Sequence, residues 1–312
     1  MTRDFQRVAA VVRAVAGISL SEGKIALVEA RLTKRLRALG LTGYRDYCAL
    51  IEGDHEAGRA EREELITAIT TNVTQFFREP HHFEILRSRV LPPLIDRAER
   101  GGRVRIWSAG CSTGQEPYSI ALTILGLAPD IGRWDLRAGC STGQEPYSIA
   151  LTILGLAPDI GRWDLRILAT DLDRAVLATA KRGVYPATSL EAVPAALRRP
   201  HFEPVRAGGE MASAIGPAPR ALVRFRKLNL THDWPMRGGF DVIFCRNVVI
   251  YFDAENEAAI WRRLAGRLPE GGWLFVGHSE RVNTLALPML ASDGVTTYRK
   301  IPPCAAERGV LT

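Results

Sequence analysis

Residues 1–75 place apolar side chains at three- and four-residue intervals, with Pro and Gly confined to turns, a pattern that predicts an all-helical N-terminal domain. Between positions 24 and 39, Ile25, Val28, Leu32, Leu36 and Leu39 share one side of a 3.6-residue helix. Lys24, Arg31, Lys34 and Arg35 gather on a neighbouring side, and Arg37 lies farther round. Such a helix has an apolar stripe to bury and a basic flank to turn toward solvent or an acidic partner. Residues 76–102 read as a linker helix, interrupted at Pro92-Pro93 and closed by Gly101-Gly102. From residue 103 the period changes. Short β-branched or aromatic runs at 103–108, 165–170, 240–245 and 273–278 alternate with helical stretches, which predicts an α/β domain over 103–302 with a mostly parallel sheet covered on both faces. Within it, residues about 185–227 are richer in Pro, Ala and Gly and read as a small inserted β subdomain; residues 303–312 form a tail.

One segment appears twice. Residues 109–137, AGCSTGQEPYSIALTILGLAPDIGRWDLR, recur without a difference as residues 138–166. Repeat architectures diverge and stack three or more units, so an identical pair reads as a recent duplication or an assembly artefact rather than a solenoid. The first copy follows a strand-like run at 103–108, whereas the second follows GRWDLR, which is poor in strand formers. The first copy is therefore expected to build any strand-to-helix turn, with Glu116 rather than Glu145 at the site; in the competing register residues 135–138 replace the first strand and the second copy forms the site. The second is expected to supply the strand at its tail and leave residues about 138–161 as a surface insertion.

Composition narrows the class. The five cysteines, Cys48, Cys111, Cys140, Cys245 and Cys304, have no CxxC spacing, and the histidines are scattered apart from His81 and His82, so neither disulfides nor a metal site is expected. No run of 18 apolar residues and no apolar stretch behind the charged N-terminus is present, which predicts a cytoplasmic protein. A net charge of +7 favours an acidic partner without choosing among nucleic acid, membrane surface and protein.

The chemistry concentrates at two strand ends. Gly110 and Gly114 lie in a turn that passes into an apolar helix with Pro117 in its first turn, a geometry that brings a ligand to the carboxyl edge of a sheet. The full dinucleotide fingerprint and the Lys-Ser/Thr of a triphosphate loop are missing. The next strand ends at Asp171, placed to accept from both hydroxyls of a ribose; it reads equally as a helix N-cap, a role open to Asp173 too. A glycine turn followed by an acidic strand end suits adenosine without phosphates, and S-adenosylmethionine better than NAD.

Several long motifs then recur in a known order: TTNVTQFFRE at 70–79, IWSAGCSTGQEPYS at 106–119, ATDLD at 169–173, FDVIFCRNVVIYFD at 240–253 and GWLFVGHSE at 272–280. In this combination, over nearly the whole chain, the sequence resembles the bacterial chemotaxis protein-glutamate methyltransferases, the CheR family. The resemblance implies a helical domain followed by a Rossmann-like S-adenosylmethionine-dependent methyltransferase domain, with methyl transfer to receptor glutamates. It implies cofactor contacts from Asn72, Thr74 and Arg78 and from Glu116, Asp171, Asn229, Leu230, Arg246 and Asn247, with Tyr251 near the transferred methyl. Arg78 and Arg246, whose guanidinium groups match carboxylate geometry, are candidates to hold the cofactor's carboxylate or steer the substrate's, or else form an interdomain ion pair.

The resemblance also gives the basic flank a partner: Lys24, Arg31, Lys34 and Arg35 would face the acidic methylation helices of methyl-accepting chemotaxis receptors, with the chain acting as a monomer. Some family members carry a Gly-x-Gly element before a Val-Arg strand that binds a receptor's C-terminal peptide. Residues 206–224, RAGGEMASAIGPAPRALVR, lack that spacing, so no tight tail-peptide binding is expected. Two rival classes remain at this level: a methyltransferase for nucleic acid or a small molecule, disfavoured by the lack of aromatic-basic interleaving, and a non-catalytic binding module with a pocket broken by the duplication.

Overall fold

The computed structural model of the chain describes residues 2–128 and 163–302. Four helices come first: α1 (Thr2–Ala16), α2 (Ile25–Leu39), α3 (Tyr44–Glu52) and α4 (Glu56–Ile69). Their apolar stripes meet in one core containing Val12, Val28, Leu32, Tyr47, Ile51 and Leu65. Two charged side chains of the basic flank belong to this packing. Arg31 donates to the carbonyls of Ile69 (2.5 Å) and Thr70 (3.0 Å) and to Thr71 Oγ1 (3.0 Å), satisfying the open end of α4. Arg35 forms a two-pronged bond to Glu61, which is buried and also accepts from Tyr47.

After an extended segment, the chain forms α5 (Pro80–Ile85), a π-helical turn over Leu86–Val90, and α6 (Leu91–Glu99). The prolines expected to interrupt this stretch sit in the first turn of α6, where their missing N–H groups cost nothing, and the wider turn precedes them. Leu86, Leu91 and Ile95 are buried against the sheet, so this segment is a covering layer as well as a connection.

The sheet has seven strands in the order β6-β2-β1-β7-β8-β10-β9. They are β1 (Val104–Ala109), β2 (Leu165–Asp171), β6 (Val223–Lys227), β7 (Val242–Cys245), β8 (Trp273–Val276), β9 (Leu290–Ser292) and β10 (Thr297–Lys300). Strands β6, β2, β1, β7 and β8 run parallel, and β10 and β9 close the edge antiparallel. Alternation along the strands sorts the two faces: Val104, Ile106, Val242, Phe244 and Phe275 join the core under α5, α6 and α7 (Gln115–Leu127). Trp107, Ile243, Cys245 and Leu274 join the opposite core with Ile260, Trp261 and Leu264 of the helix Ala254–Arg267. A separate three-stranded antiparallel sheet holds β3 (Val184–Pro186), β5 (Glu210–Ile215) and β4 (Phe202–Ala207). The subdomain is shorter than its composition suggests, because β6 pairs with β2 in the main sheet, Ile167 opposite Val223.

The chain moves from β1 through β2 to β6 on one side and then crosses to β7 on the other, so strand order reverses between β1 and β7. Ligands of open α/β sheets bind outside the carboxyl ends of the strands at such a point. Of the repeat, the first copy supplies the end of β1 and α7, and the tail of the second begins β2; the expected insertion at about 138–161 lies outside the described residues.

Candidate functional site

A cleft opens at that crossover, with about 980 Å³ of space including its solvent-open part. Its walls are the turns after β1, β2 and β7, the segment 70–78 and the loop after β6. Asn72, Thr74, Arg78, Gly110, Glu116, Asp171, Asn229, Leu230, Arg246, Asn247 and Tyr251 all line it.

The turn after β1 is held from β2. The N–H groups of Gly110 and Cys111 donate to the Thr170 carbonyl at 2.8 and 2.9 Å. Asp171 accepts from Ser112 N at 2.8 Å through one oxygen and from Asp173 N at 2.9 Å through the other. Each of these oxygens keeps a further lone pair for a ligand. Burial pushes the Asp171 carboxyl up, and the backbone donors pull against that rise. Gly110 has φ +80°, and a Cβ there would lie 2.2 Å from Val248 Cγ2, so the turns after β1 and β7 meet where only glycine fits. Gly114, also predicted to touch the cofactor, does not line the cleft. It precedes α7 at φ +96°, and a Cβ would meet Ala180 Cβ at 2.8 Å and Tyr185 Oη at 2.9 Å; its role is close packing of the turn against the helix Arg174–Arg182.

The N-cap question resolves through contacts. Asp173 caps the helix Arg174–Arg182 by accepting from Ala175 N, which leaves Asp171 to the turn and the cleft. Asp173 also accepts from Thr67 Oγ1 (2.9 Å) and Asn72 Nδ2 (3.2 Å), so this buried carboxylate binds the helical domain to the sheet domain. Ser112 Oγ adds a bond to the Asn72 carbonyl. Asn229 is spent similarly: its amide donates to the Val15 carbonyl and its oxygen accepts from Thr231. Asn72 and Asn229 therefore fix the walls through their side chains more than they offer free donors.

Two carboxylates grip Arg246. Its guanidinium lies 3.2 Å from Glu116 and 3.4 Å from Glu79, and it donates to the Arg78 carbonyl. Glu116 accepts from Ser108 Oγ at 2.7 Å; burial pushes its carboxyl up, opposed by Arg246. The buried Arg246 Nε has no hydrogen-bond partner, an open donor beside the cleft. Arg78 donates to the Val73 carbonyl. Glu79, His81 and His82 bring one ligand atom each within 4.8 Å of one another, the histidine pair assigned from sequence to surface or packing. Arg246 already faces Glu79 at 3.4 Å, and burial followed by the Arg246 charge pushes His82 down to about 3.

Tyr251 stands where the two domains touch. Its carbonyl accepts from Ser19 N, Phe252 bridges to Ile18, and the Lys24 ammonium lies 5.6 Å from its ring centroid. Its hydroxyl makes no hydrogen bond among the described residues, and its ring also lines an adjoining recess with Lys24 and Leu27. Of the four basic residues expected to dock a partner, Lys24 and Lys34 remain available, whereas Arg31 and Arg35 are spent inside the helical domain. Sequence reasoning passed over Ser108 and Glu79, which set Arg246 and Glu116, and Ile18, which lines the cleft. Glu79 stood inside a quoted motif; Ile18 gave no signal, because only folding brings it to the sheet.

The donor set fits S-adenosylmethionine: acceptors for two hydroxyls at Asp171, a carboxylate for an ammonium at Glu116, an open guanidinium donor for a carboxylate at Arg246, and apolar walls from Leu172, Leu228 and Leu230. Comparison with known proteins agrees. The family description "CheR methyltransferase, all-alpha domain" matches residues 3–70. "CheR methyltransferase, SAM binding domain" matches residues 72–137 and 134–293, two stretches that meet at the repeat. A probable chemotaxis protein methyltransferase of Rhizobium etli is 46% identical over 284 residues, 91% of this chain and 94% of the relative. Chemotaxis protein methyltransferase 2 of Pseudomonas aeruginosa is 38% identical, covering 95% of this chain and 92% of its own length. The chemotaxis protein methyltransferase of Escherichia coli is 37% identical, covering 90% and 85%. With both domains matched in order and a cleft suited to the cofactor at their junction, the chain belongs to the CheR family of S-adenosylmethionine-dependent chemotaxis methyltransferases.

Proposed function

We propose that this chain methylates side-chain carboxylates of glutamates on methyl-accepting chemotaxis receptors, acting from the cytoplasm. The observation that carries the reading is convergence: one cleft collects all the residues implied for cofactor and chemistry except Gly114, and its Tyr251 also lines an adjoining recess with Lys24 of the helical domain. No helix among the described residues is long and apolar enough to cross a membrane, in keeping with an enzyme that visits its receptor.

In this reading Asp171 holds the ribose hydroxyls of S-adenosylmethionine, Glu116 its ammonium, and Arg246 its carboxylate. When bound, the cofactor supplies an electrophilic methyl group. A glutamate carboxylate, with an ordinary pKa of about 4.3, is ionised at neutral pH and needs no general base. The protein's work is orientation and exclusion of water. Tyr251, with its hydroxyl free, orients the incoming carboxylate; Lys24 draws it to the mouth; the segment 70–78 closes the cleft from the helical side.

The test is transfer of labelled methyl from S-adenosylmethionine to membranes containing a chemoreceptor, to the same membranes with the receptor's methylated glutamates replaced by alanine, and to nucleic acid. Label on the first alone, released as methanol by alkali, is the expected result. Alkali-stable label or label on nucleic acid overturns the substrate. Cofactor binding without any transfer would make the chain a binding module.

A further inference from the structure

Glu280 is buried, 3% exposed, and lies outside every role given above. Its Oε1 accepts from Val248 N (2.9 Å) and Val249 N (2.8 Å), and its Oε2 accepts from Asn247 N (2.8 Å) and Gly277 N (2.6 Å). Four main-chain donors thus converge on one side chain, and among the described residues no Lys, Arg or His forms an ion pair with it. Only a carboxylate offers four acceptor sites and carries no hydrogen of its own.

Three of the four donors belong to the turn after β7, which presents Arg246, Asn247 and Tyr251 to the cleft. The turn's own bonds, from Tyr251 N to the Val248 carbonyl and from Phe252 N to the Val249 carbonyl, lie beyond Asn247, which sits at φ +59°, a left-handed conformation that costs a non-glycine residue energy. The clamp reaches it because β7 and β8 are parallel neighbours with Cys245 opposite Val276, so the two strand ends lie side by side. Gly277 permits the approach; a Cβ there would lie 2.7 Å from Asn247 N and 2.8 Å from Glu280 Oε2.

We propose that Glu280 is a positioning residue for methyl transfer: through these main-chain bonds it sets the turn that aims Tyr251 and Asn247 at the reacting groups. The inference rests on the function proposed above. In Glu280→Gln the amide NH2 must face two of the four main-chain N–H groups, so two of the four bonds are lost and the turn is pushed from its place. A displacement of the order of 1 Å at reacting groups lowers rates about 100-fold.

The experiment compares the full chain with E280Q, E280D and G277A. Expected for E280Q is a kcat about 100-fold lower per folded, cofactor-binding molecule, with receptor KM within about threefold of the parent and partial recovery in E280D. Should E280Q fail to fold, G277A decides, since its Cβ presses on the same turn while the carboxylate stays. Independently of turnover, 19F NMR of 3-fluorotyrosine protein resolves Tyr251 from the remaining six tyrosines, the signal being assigned by its loss in Y251F. That signal shifts in E280Q and G277A. Reduced stability with parental kcat, or an unmoved Tyr251 signal in either folded variant, overturns the role of Glu280. Absence of transfer by the unaltered chain overturns the substrate reading and leaves the NMR result to judge Glu280.

Discussion

The turns after β1 and β7 form walls of one cleft, and they distribute their main-chain bonds differently. The β1 turn takes left-handed conformations at Gly110, Ser112 and Gly114, and its N–H groups are shared between two acceptors of the adjacent strand, the Thr170 carbonyl and the Asp171 carboxylate. The β7 turn carries a non-glycine residue, Asn247, in a left-handed conformation and is held from outside by Glu280, 33 positions downstream of Asn247. The difference teaches where a site is robust. A turn whose N–H groups are divided between a main-chain carbonyl and a carboxylate keeps part of its support when one side chain changes, whereas a turn with three N–H groups on one carboxylate loses most of it at once.

Breaking the β1 wall at its acidic support gives the largest expected effect. Asp171→Ala removes the acceptors proposed for the ribose and strands the Ser112 and Asp173 N–H groups, and bonds to a charged group contribute about 1.5–3 kcal/mol each. Cofactor affinity by calorimetry is expected to fall about 100-fold or more; a change within threefold would move the ribose elsewhere.

Forcing the two walls apart comes next. Gly110→Ala places a Cβ 2.2 Å from Val248 at φ +80°, and overpacking together with left-handed strain amounts to about 2–4 kcal/mol. In urea unfolding, G110A/V248A should recover the overpacking part. Strict additivity of the two changes would show that the walls are not coupled there.

A smaller effect is read in pH. Burial raises the Glu116 carboxyl, and the cofactor's positive groups favour its ionised form, so at pH values near that raised pKa binding is linked to proton release. Affinity should therefore weaken as pH falls through the raised Glu116 pKa, by at most about tenfold per unit. Gln at position 116 should bind with a flat profile over that window; a parental slope in E116Q would assign the titration to another group.

The smallest expected effects lie on the basic flank of α2. Lys24→Ala and Lys34→Ala should raise receptor KM a few-fold, and less in high salt, with cofactor affinity unchanged. Arg31→Ala should lower stability by about 1–3 kcal/mol instead, through the carbonyls it leaves unsatisfied. Equal KM effects from all four basic residues would restore the undivided basic dock.

These contrasts also explain what was legible in advance. The β1 turn could be read because glycine and proline act on their own backbone, and β1, β2, β7 and β8 because buried parallel strands leave apolar runs. Strand β6 was assigned to the small subdomain, since its pairing with Ile167 of β2 has no local mark. Arg31 and Arg35 looked free because helical spacing reports the side a residue faces, whereas their partners on α4 arrive only with tertiary packing. Gly114 was given to the cofactor on its turn geometry, and the contact it serves, with Ala180, is 66 positions away. Glu280 lay in a recognised motif, yet nothing in one dimension shows four main-chain donors meeting there.

The account stands on the first copy of the repeat building the cleft. Calorimetric titration of S-adenosylmethionine into Glu116→Gln and Glu145→Gln versions of the full chain tests it most directly; Glu145 is the equivalent position of the second copy and lies outside the described residues. The prediction is parental affinity for E145Q and an affinity about 10–100-fold weaker for E116Q, the loss expected when a charged hydrogen bond becomes a neutral one. Weakened binding by E145Q alongside parental binding by E116Q would contradict it.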